Sequence, residues 1–210
     1  MGTVGRPLAN VEVRIAEDHE ILVRGPSVFR SYWNRPTETR DAFVDGWFKT
    51  GDIGGIDEDG FLSVTDRKKD LLKTSGGKFI APQPVENSLK LNALIGTAVV
   101  LGDRRKFASV LIAPHFPLLE EWARDHHIPF STRETLVRHP KVIALYEEIV
   151  GEVNRGLARY ETLKKILLVP DEFSPDDGTL TPTLKLRRRA IEERYRQQID
   201  DLYQEARQTA

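Results

Sequence analysis

The stretch from Asp66 to Lys78, DRKKDLLKTSGGK, separates two parts of the chain that differ in character. Four cations, Arg67, Lys68, Lys69 and Lys73, crowd around one acid, Asp70, and Gly76-Gly77 then interrupts the run. At a glycine pair the backbone can take φ > 0 or let a ligand approach closely. Cations beside glycines suit anions. A surface loop with solvated lysines is the bland alternative, and on these residues alone it is the better one.

Before this stretch the pattern is that of strands. Val11, Val13 and Ile15 alternate with polar residues, as do Ile21 and Val23, and AEDHE between them reads as a hairpin turn. The segment Arg24 to Phe43 is irregular, with a short helix expected over about Thr37 to Phe43. Asp57-Glu58-Asp59-Gly60 reads as a second turn, with Phe61, Leu62 and Val64 leading out of it. It lacks the spaced ligands and closing glutamate of an EF-hand calcium loop, so a plain turn is the reading.

After the stretch, helices join the strands. Pro82 and Pro84 introduce a short helix over Val85 to Leu91, and GTAVVLG and FASVLIAP are apolar strands. Leu118 to His127 reads as a helix closed by Pro129. Ser131 and Glu134 have capping-box spacing. Pro140 opens a long helix whose apolar face is Val142, Leu145, Ile149, Val153 and Leu157. KKILLVP is a strand, and a charged terminal helix carries Ile191, Tyr195, Ile199 and Leu202 on one side. The fold expected is α+β: a β-rich piece over residues 1–67, then a small α+β domain over 68–210, with the boundary near 66–70.

The bulk composition narrows the class. The chain has 210 residues, 40% of them hydrophobic, and 31 basic against 32 acidic residues give a net charge of -1. That is enough apolar material for a core, and too little positive charge to favour nucleic acid as a partner. No cysteine is present, which excludes disulfides, thiolate catalysis and Cys-ligated zinc and is compatible with a reducing compartment. MGTVGRPLAN has no apolar run behind a basic head, so no signal peptide is expected. No stretch approaches the roughly 20 apolar residues that span a bilayer. The expectation is a cytoplasmic protein without a transmembrane segment, which leaves peripheral membrane association open.

Two further segments bear on chemistry. In GWFKTGD, Asp52 follows Thr50 and Gly51 just before a strand-turn. A carboxylate presented there can accept two hydrogen bonds at once, and a ribose cis-diol offers two donors at matching spacing. An aspartate capping its own turn is the commoner meaning of such a short motif. In LTPTLKLRR, Lys185 sits just before a helix in a loop containing Pro182, where it can reach out as a mobile point charge. The Arg187-Arg188-Arg189 run that follows reads as a solvated basic face or, alternatively, as a nucleic-acid contact, though Glu192 and Glu193 follow at once and dilute the patch.

Each signal is weak singly; their order and spacing decide. A TGD turn, an Arg-x-Lys stretch with a glycine loop, and a lysine near the C-terminus resemble the pattern of the adenylate-forming superfamily. That superfamily comprises acyl- and aryl-CoA synthetases, luciferases and peptide-synthetase adenylation domains. GTVGRPL and EILVRGPSVFRSYWNRPTETRDAF are similar to it as well, so the resemblance covers essentially the whole chain. TSGGKFIAPQPVEN and TPTLKLRRR resemble the long-chain fatty acyl-CoA synthetase branch. Other branches more often place a glycine directly before the C-terminal lysine, where this chain has Leu184.

The resemblance implies roles. Asp52 and Arg67 would contact the ribose of ATP. Lys69 would be the hinge about which a mobile lid domain turns. Gly76 and Gly77, with Lys73 on the same segment, would line the coenzyme A channel in the thioester-forming state. Lys185 would be the catalytic lysine of adenylation, a cation between an attacking carboxylate and the α-phosphate. The implied fold is the end of the large AMP-binding domain, a distorted β-barrel remnant, followed by the lid. The implied substrates are a fatty acid, ATP with Mg2+ and coenzyme A.

The Ser/Thr/Gly-rich phosphate loop of the superfamily has no counterpart before Asp52, and the acyl pocket also belongs upstream. The phosphate and metal site is therefore expected mostly outside this chain, with the upstream part of the large domain as a partner. The chain reads as an excised fragment, a truncated gene product or one partner of a pair, inactive in adenylation alone. A non-catalytic module binding coenzyme A or a sister chain, and a synthetase for another carboxylic acid, are the rival readings.

Overall fold

A computed structural model describes residues 2–208. The chain divides into two compact units between Leu71 and Leu72. In the first, β1 (Glu12–Ile15) and β2 (Glu20–Arg24) form the expected antiparallel hairpin, with His19 in the left-handed region at its turn. A short helix, α1 (Pro36–Ala42), leads into β3 (Phe43–Val44), β4 (Trp47–Ile56) and β5 (Leu62–Arg67). α1 starts at Pro36, one residue before the expected start, because proline fixes a helical φ and its missing N–H is not needed in the first turn. The sheet runs β1-β2-β4-β3, and β5 also pairs with β4. β4, ten residues long, is its organising strand.

The 57–60 turn holds as expected: Asp57 Oδ1 accepts from the N–H groups of Asp59 and Phe61 at 3.1 and 2.8 Å. Among the described residues of this unit only Ile21, Leu22 and Ile53 are buried hydrophobics, while Val4, Leu8, Tyr32 and Trp33 are exposed. Trp33 is 95% exposed. So thin a core supplies little of the stability a free-standing domain of this size needs.

The second unit opens with a small hairpin, β6 (Leu72–Lys73) and β7 (Phe79–Ile80), where the sequence suggested only a charged, glycine-containing stretch. Leu72 and Ile80 face each other across it and are buried, which fixes the hairpin to the core. The helix α2 (Pro82–Leu89) begins at Pro82 and ends at Leu89, earlier at both ends than expected, since both prolines fit within a first turn that has no N–H bonds to lose. Next come β8 (Ile95–Leu101), β9 (Ala108–Pro114), α3 (Phe116–Asp125), α4 (Arg133–Val137), α5 (Pro140–Asn154), β10 (Leu163–Leu168), α6 (Arg188–Arg194) and α7 (Arg196–Gln208).

The three-stranded sheet runs β10-β9-β8, with β9 antiparallel to β8 and parallel to β10. It is covered on both faces, which is why its strands read as unbroken apolar runs. Ala98, Val100, Val110 and Ile112 pack with α2, α3 and α5 around fully buried Phe116, Leu119 and Tyr146. Val99, Leu101, Leu111 and Ala113 pack with Ile191, Tyr195 and Ile199 of the C-terminal helices.

Three expectations shift. The capping box lies one residue on, with Thr132 accepting from Thr135 N at 3.2 Å, so neither Ser131 nor Glu134 serves. On α5 the buried face is Val142, Tyr146, Ile149 and Val150, with Leu145, Val153 and Leu157 packed at its edge. The terminal helix is broken at Tyr195, whose hydroxyl donates to Asp171 Oδ2 at 2.5 Å, tying the break to the segment after β10. Among the described residues no helix is long and apolar enough to cross a membrane.

Candidate functional site

Asp52 lies within β4, not in a turn, and its strand partner on β5 is Arg67. The register brings Arg67 Nε to 2.8 Å from Asp52 Oδ1. The turn-capping alternative for Asp52 does not apply: Thr50 does the local work. Thr50 Oγ1 accepts from Asp52 N at 3.1 Å and donates to the carbonyl of Ile21 at 2.7 Å. The Asp52 side chain is 28% exposed and Arg67 57%, so one carboxylate oxygen and the guanidinium edge remain accessible beside each other.

Glu20, which the sequence did not single out, sits behind this pair. It is 5% exposed, and its Oε1 accepts from Gly51 N at 3.0 Å. Its Oε2 pairs with Lys68 Nζ at 2.7 Å, and Asp18 meets the same ammonium at 2.6 Å. Hydrogen bonding to Asp18 and then to Glu20 raises the pKa of Lys68, and the Lys68 bond in turn lowers that of Asp18. Two of the four cations, Arg67 and Lys68, therefore turn to Asp52, Asp18 and Glu20, not to Asp70 as the local spacing suggested. Lys69 is exposed, in a 3-10 turn, Lys68–Asp70, at the end of the first unit.

Gly76 and Gly77 form the tip of the β6–β7 hairpin. The hairpin is closed by Thr74 N to the Lys78 carbonyl at 2.9 Å and by Lys78 N to Thr74 Oγ1 at 3.1 Å. Gly77 has φ +77°, which a side chain would strain, and no neighbour lies within 4 Å of where a Cβ would be. Gly76 is outside the left-handed region, and a Cβ there would make only an ordinary 4.0 Å contact with Thr74 Oγ1. The hairpin is held from one side: Ser75 N donates to the Arg105 carbonyl at 2.8 Å and Arg104 N to the Lys73 carbonyl at 2.7 Å. Lys73 is exposed, its ammonium 5.4 Å from the centre of the Phe79 ring.

Lys185 lies on a tight loop. Leu180 and Leu186 form a β-bridge, Thr181 N donates to the Lys185 carbonyl at 2.8 Å, and Lys185 N to Thr181 Oγ1 at 3.0 Å. The backbone of the lysine is fixed while its side chain is exposed, with no ion-pair partner among the described residues. Leu184 has φ +59° and is 69% exposed. The turn needs a left-handed residue here, a conformation that glycine adopts without strain.

The strap leading to this loop is fastened by Asp177. Burial opposes its ionisation, but hydrogen bonds from the Thr179 hydroxyl and N–H, Arg194 and Ser174 N outweigh it and hold the carboxyl well below the usual range. Behind the loop, Arg188 is 21% exposed and turned inward, so the basic run is not a uniformly solvated face. Within the second unit the Lys73–Gly77 and Lys185 loops belong to the same packed body.

A description of a protein family, AMP-binding enzyme C-terminal domain, matches residues 69–207. The chain belongs to that family. Members of the AMP-binding superfamily appear among its relatives too. Long-chain-fatty-acid–CoA ligase FadD15 of Mycobacterium tuberculosis is 40% identical over 204 residues, 97% of this chain and 34% of the relative. Long-chain-fatty-acid–CoA ligase 1 of Schizosaccharomyces pombe is 35% identical over 192 residues, 89% of this chain and 28% of the relative. The chain thus spans about a third of the length of the curated relatives it matches.

Solved structures share the fold. O-succinylbenzoate coenzyme A synthetase from Bacillus subtilis, in complex with AMP, is 28% identical with a TM-score of 0.62, covering 90% of this chain and 35% of that one. The A domain of a carboxylic acid reductase from Segniliparus rugosus gives a TM-score of 0.73 at 20% identity, covering 98% and 33%. The α+β architecture, a curled antiparallel sheet followed by a compact α+β unit of the AMP-binding C-terminal family, is that of adenylation domains.

Proposed function

We propose that this chain is the C-terminal part of an AMP-forming fatty acid–CoA ligase. The observation that carries the reading is the 40% identity to a long-chain-fatty-acid–CoA ligase across 97% of the chain. In the ligase reaction a fatty acid and ATP give acyl-AMP and pyrophosphate, and coenzyme A then displaces AMP to give acyl-CoA. The thin core and exposed Trp33 and Leu8 of the first unit support an upstream part of the large domain as its partner. A cytoplasmic location goes with this reading.

Asp52 and Arg67 fit a ribose: the paired groups leave an acceptor oxygen and donor nitrogens free at an accessible edge. Among the described residues no group of three or more His, Asp or Glu could hold a metal ion, so no step here is assigned to Mg2+. Lys69, beside the anchored Lys68, is the pivot. Lys185 reduces repulsion between the carboxylate and the α-phosphate and stabilises charge growing in the transition state. Gly76 and Gly77, with no Cβ to obstruct approach, and Lys73 face the pantetheine arm in the second step.

The test is Lys185→Ala in the ligase that contains this chain. Acyl-AMP formation, followed by pyrophosphate release, falls by about 10²–10³, the usual worth of one such donor. Thioester formation from supplied acyl-AMP is kept. Equal loss in both half-reactions would remove Lys185 from the adenylation step. Robust pyrophosphate release by the isolated chain would show instead that it needs no upstream part.

A further inference from the structure

Three residues after Lys185, at the first position of α6, Arg188 closes a buried knot. Its Nη1 donates to the carbonyl of Val100 at 2.6 Å and its Nη2 to Glu86 Oε1 at 2.7 Å. The same Glu86 oxygen accepts from Val100 N at 2.8 Å. Both Val100 backbone groups lie on β8, an outer strand of the sheet, so the two side chains serve polar groups that the strand order leaves without a neighbouring strand. Glu86 is 6% exposed at its side chain, so the pair is largely withdrawn from water.

The knot joins three pieces of chain. Glu86 is on α2, which follows the glycine hairpin after a single residue, Ala81. Val100 is two residues before Gly102, where the 102–105 segment that backs the hairpin begins. Arg188 ends the loop bearing Lys185. A planar guanidinium that bonds two acceptors at once fixes direction as well as distance.

We infer that Arg188 and Glu86 are positioning residues: a buried strut that sets the Lys185 loop at a fixed offset from the Gly76-Gly77 hairpin, so that the two loops move as one body. This rests on the reading of Lys185 as the adenylation lysine. Neither strut residue touches substrate in this account. They act by keeping the lysine where the rotation of the unit delivers it, and by withdrawing it when the hairpin arrives.

The test compares amide hydrogen exchange in the 210-residue chain and in Arg188→Met. Thr181, Leu184, Lys185 and Arg187 all donate their N–H in the folded loop and so report its order. With the strut broken, exchange at these four rises about tenfold or more, the worth of a hydrogen bond to a charged group, while Val110 and Ile112 follow global stability. Loop exchange unchanged, or raised only in step with Val110 and Ile112, would overturn the inference. If Arg188→Met does not fold, Arg188→Lys keeps a cation beside Glu86 but lacks the fork, and gives the same comparison at smaller amplitude.

In the ligase, kcat for adenylation drops in Arg188→Lys with KM for ATP and fatty acid unchanged, and transfer from supplied acyl-AMP persists. A change in KM alone would also overturn the inference. Lys185→Ala run alongside separates the two claims. If it leaves adenylation intact, the role of Lys185 fails, whereas the exchange comparison still decides whether the strut orders the loop.

Discussion

Leu184 offers a sharp test of how the Lys185 loop is built. At φ +59° an L-residue crowds its own carbonyl, a strain of roughly 1–2 kcal/mol. Leu184→Gly removes that strain. It also enlarges the unfolded ensemble, which costs about 0.4–1 kcal/mol. The leucine is 69% exposed, so little apolar contact is lost. Glycine therefore comes out stabilising by about 0.5 kcal/mol. Leu184→Val goes the other way, since a β-branched side chain is a genuine outlier at positive φ, by about 1 kcal/mol. The gap between the two variants, about 1.5 kcal/mol, corresponds to roughly 0.7 M urea at a slope near 2 kcal/mol/M. Urea unfolding followed by Trp122 fluorescence, in a background with Trp33→Phe and Trp47→Phe, reports on the second unit. A glycine variant less stable than the parent by more than about 1 kcal/mol, or a valine variant as stable as leucine, would refute a left-handed turn here.

Gly54→Ala should unpair the β4–β5 hairpin. A Cβ there would lie 2.0 Å from the Ser63 carbonyl oxygen, and faster amide exchange at Val64 and greater protease sensitivity of residues 54–66 are the readouts. Glu192→Gln should stabilise the second unit at pH 7.5 and make no difference at pH 4. Burial, aided by Asp103 and opposed by Arg188, raises the Glu192 pKa above 4.5. Its favourable contribution is full below that value and is lost as pH rises through the raised pKa, so urea midpoints at the two pH values check the sign. Tyr146→Phe removes a 2.8 Å hydrogen bond to the Leu94 carbonyl from a fully buried ring and should cost about 1 kcal/mol in the same urea assay.

The strands were legible because their alternation or apolar runs are local, and the 57–60 turn because Asp and Gly announce it. The glycine hairpin was not: two-residue strands such as Leu72–Lys73 carry no period, and their pairing depends on both Leu72 and Ile80 being drawn into the core. The cap on α4 slipped by one residue because Ser131-Thr132 offers two hydroxyls, and only the chain direction at Thr132 settles which accepts. The break at Tyr195 was hidden because the partner that its hydroxyl meets there, Asp171, is 24 residues away. At the candidate site, sequence order proposed Asp52, Arg67 and Lys185. Their supports, Glu20, Glu86 and Arg188, were missed because their partners lie 14 to 102 residues away in sequence. A charged residue on the apolar face of a helix, like Glu86 in line with Pro82, Val85 and Leu89, was the available signal.

The loop that holds Lys185 fixes its backbone at two hydrogen bonds and leaves its side chain free. On the proposed role of Lys185, delivery would be divided between a stiff base and a loose tip. The base determines where the sphere of reach is centred; the four χ angles determine where the ammonium is at any moment. When the ammonium meets an anion it gives up about 2 kcal/mol of rotamer entropy, paid afresh at each encounter. A lysine bound too firmly would be slow to leave. In that role, loose attachment would keep the release of this charge fast, whatever moves the base.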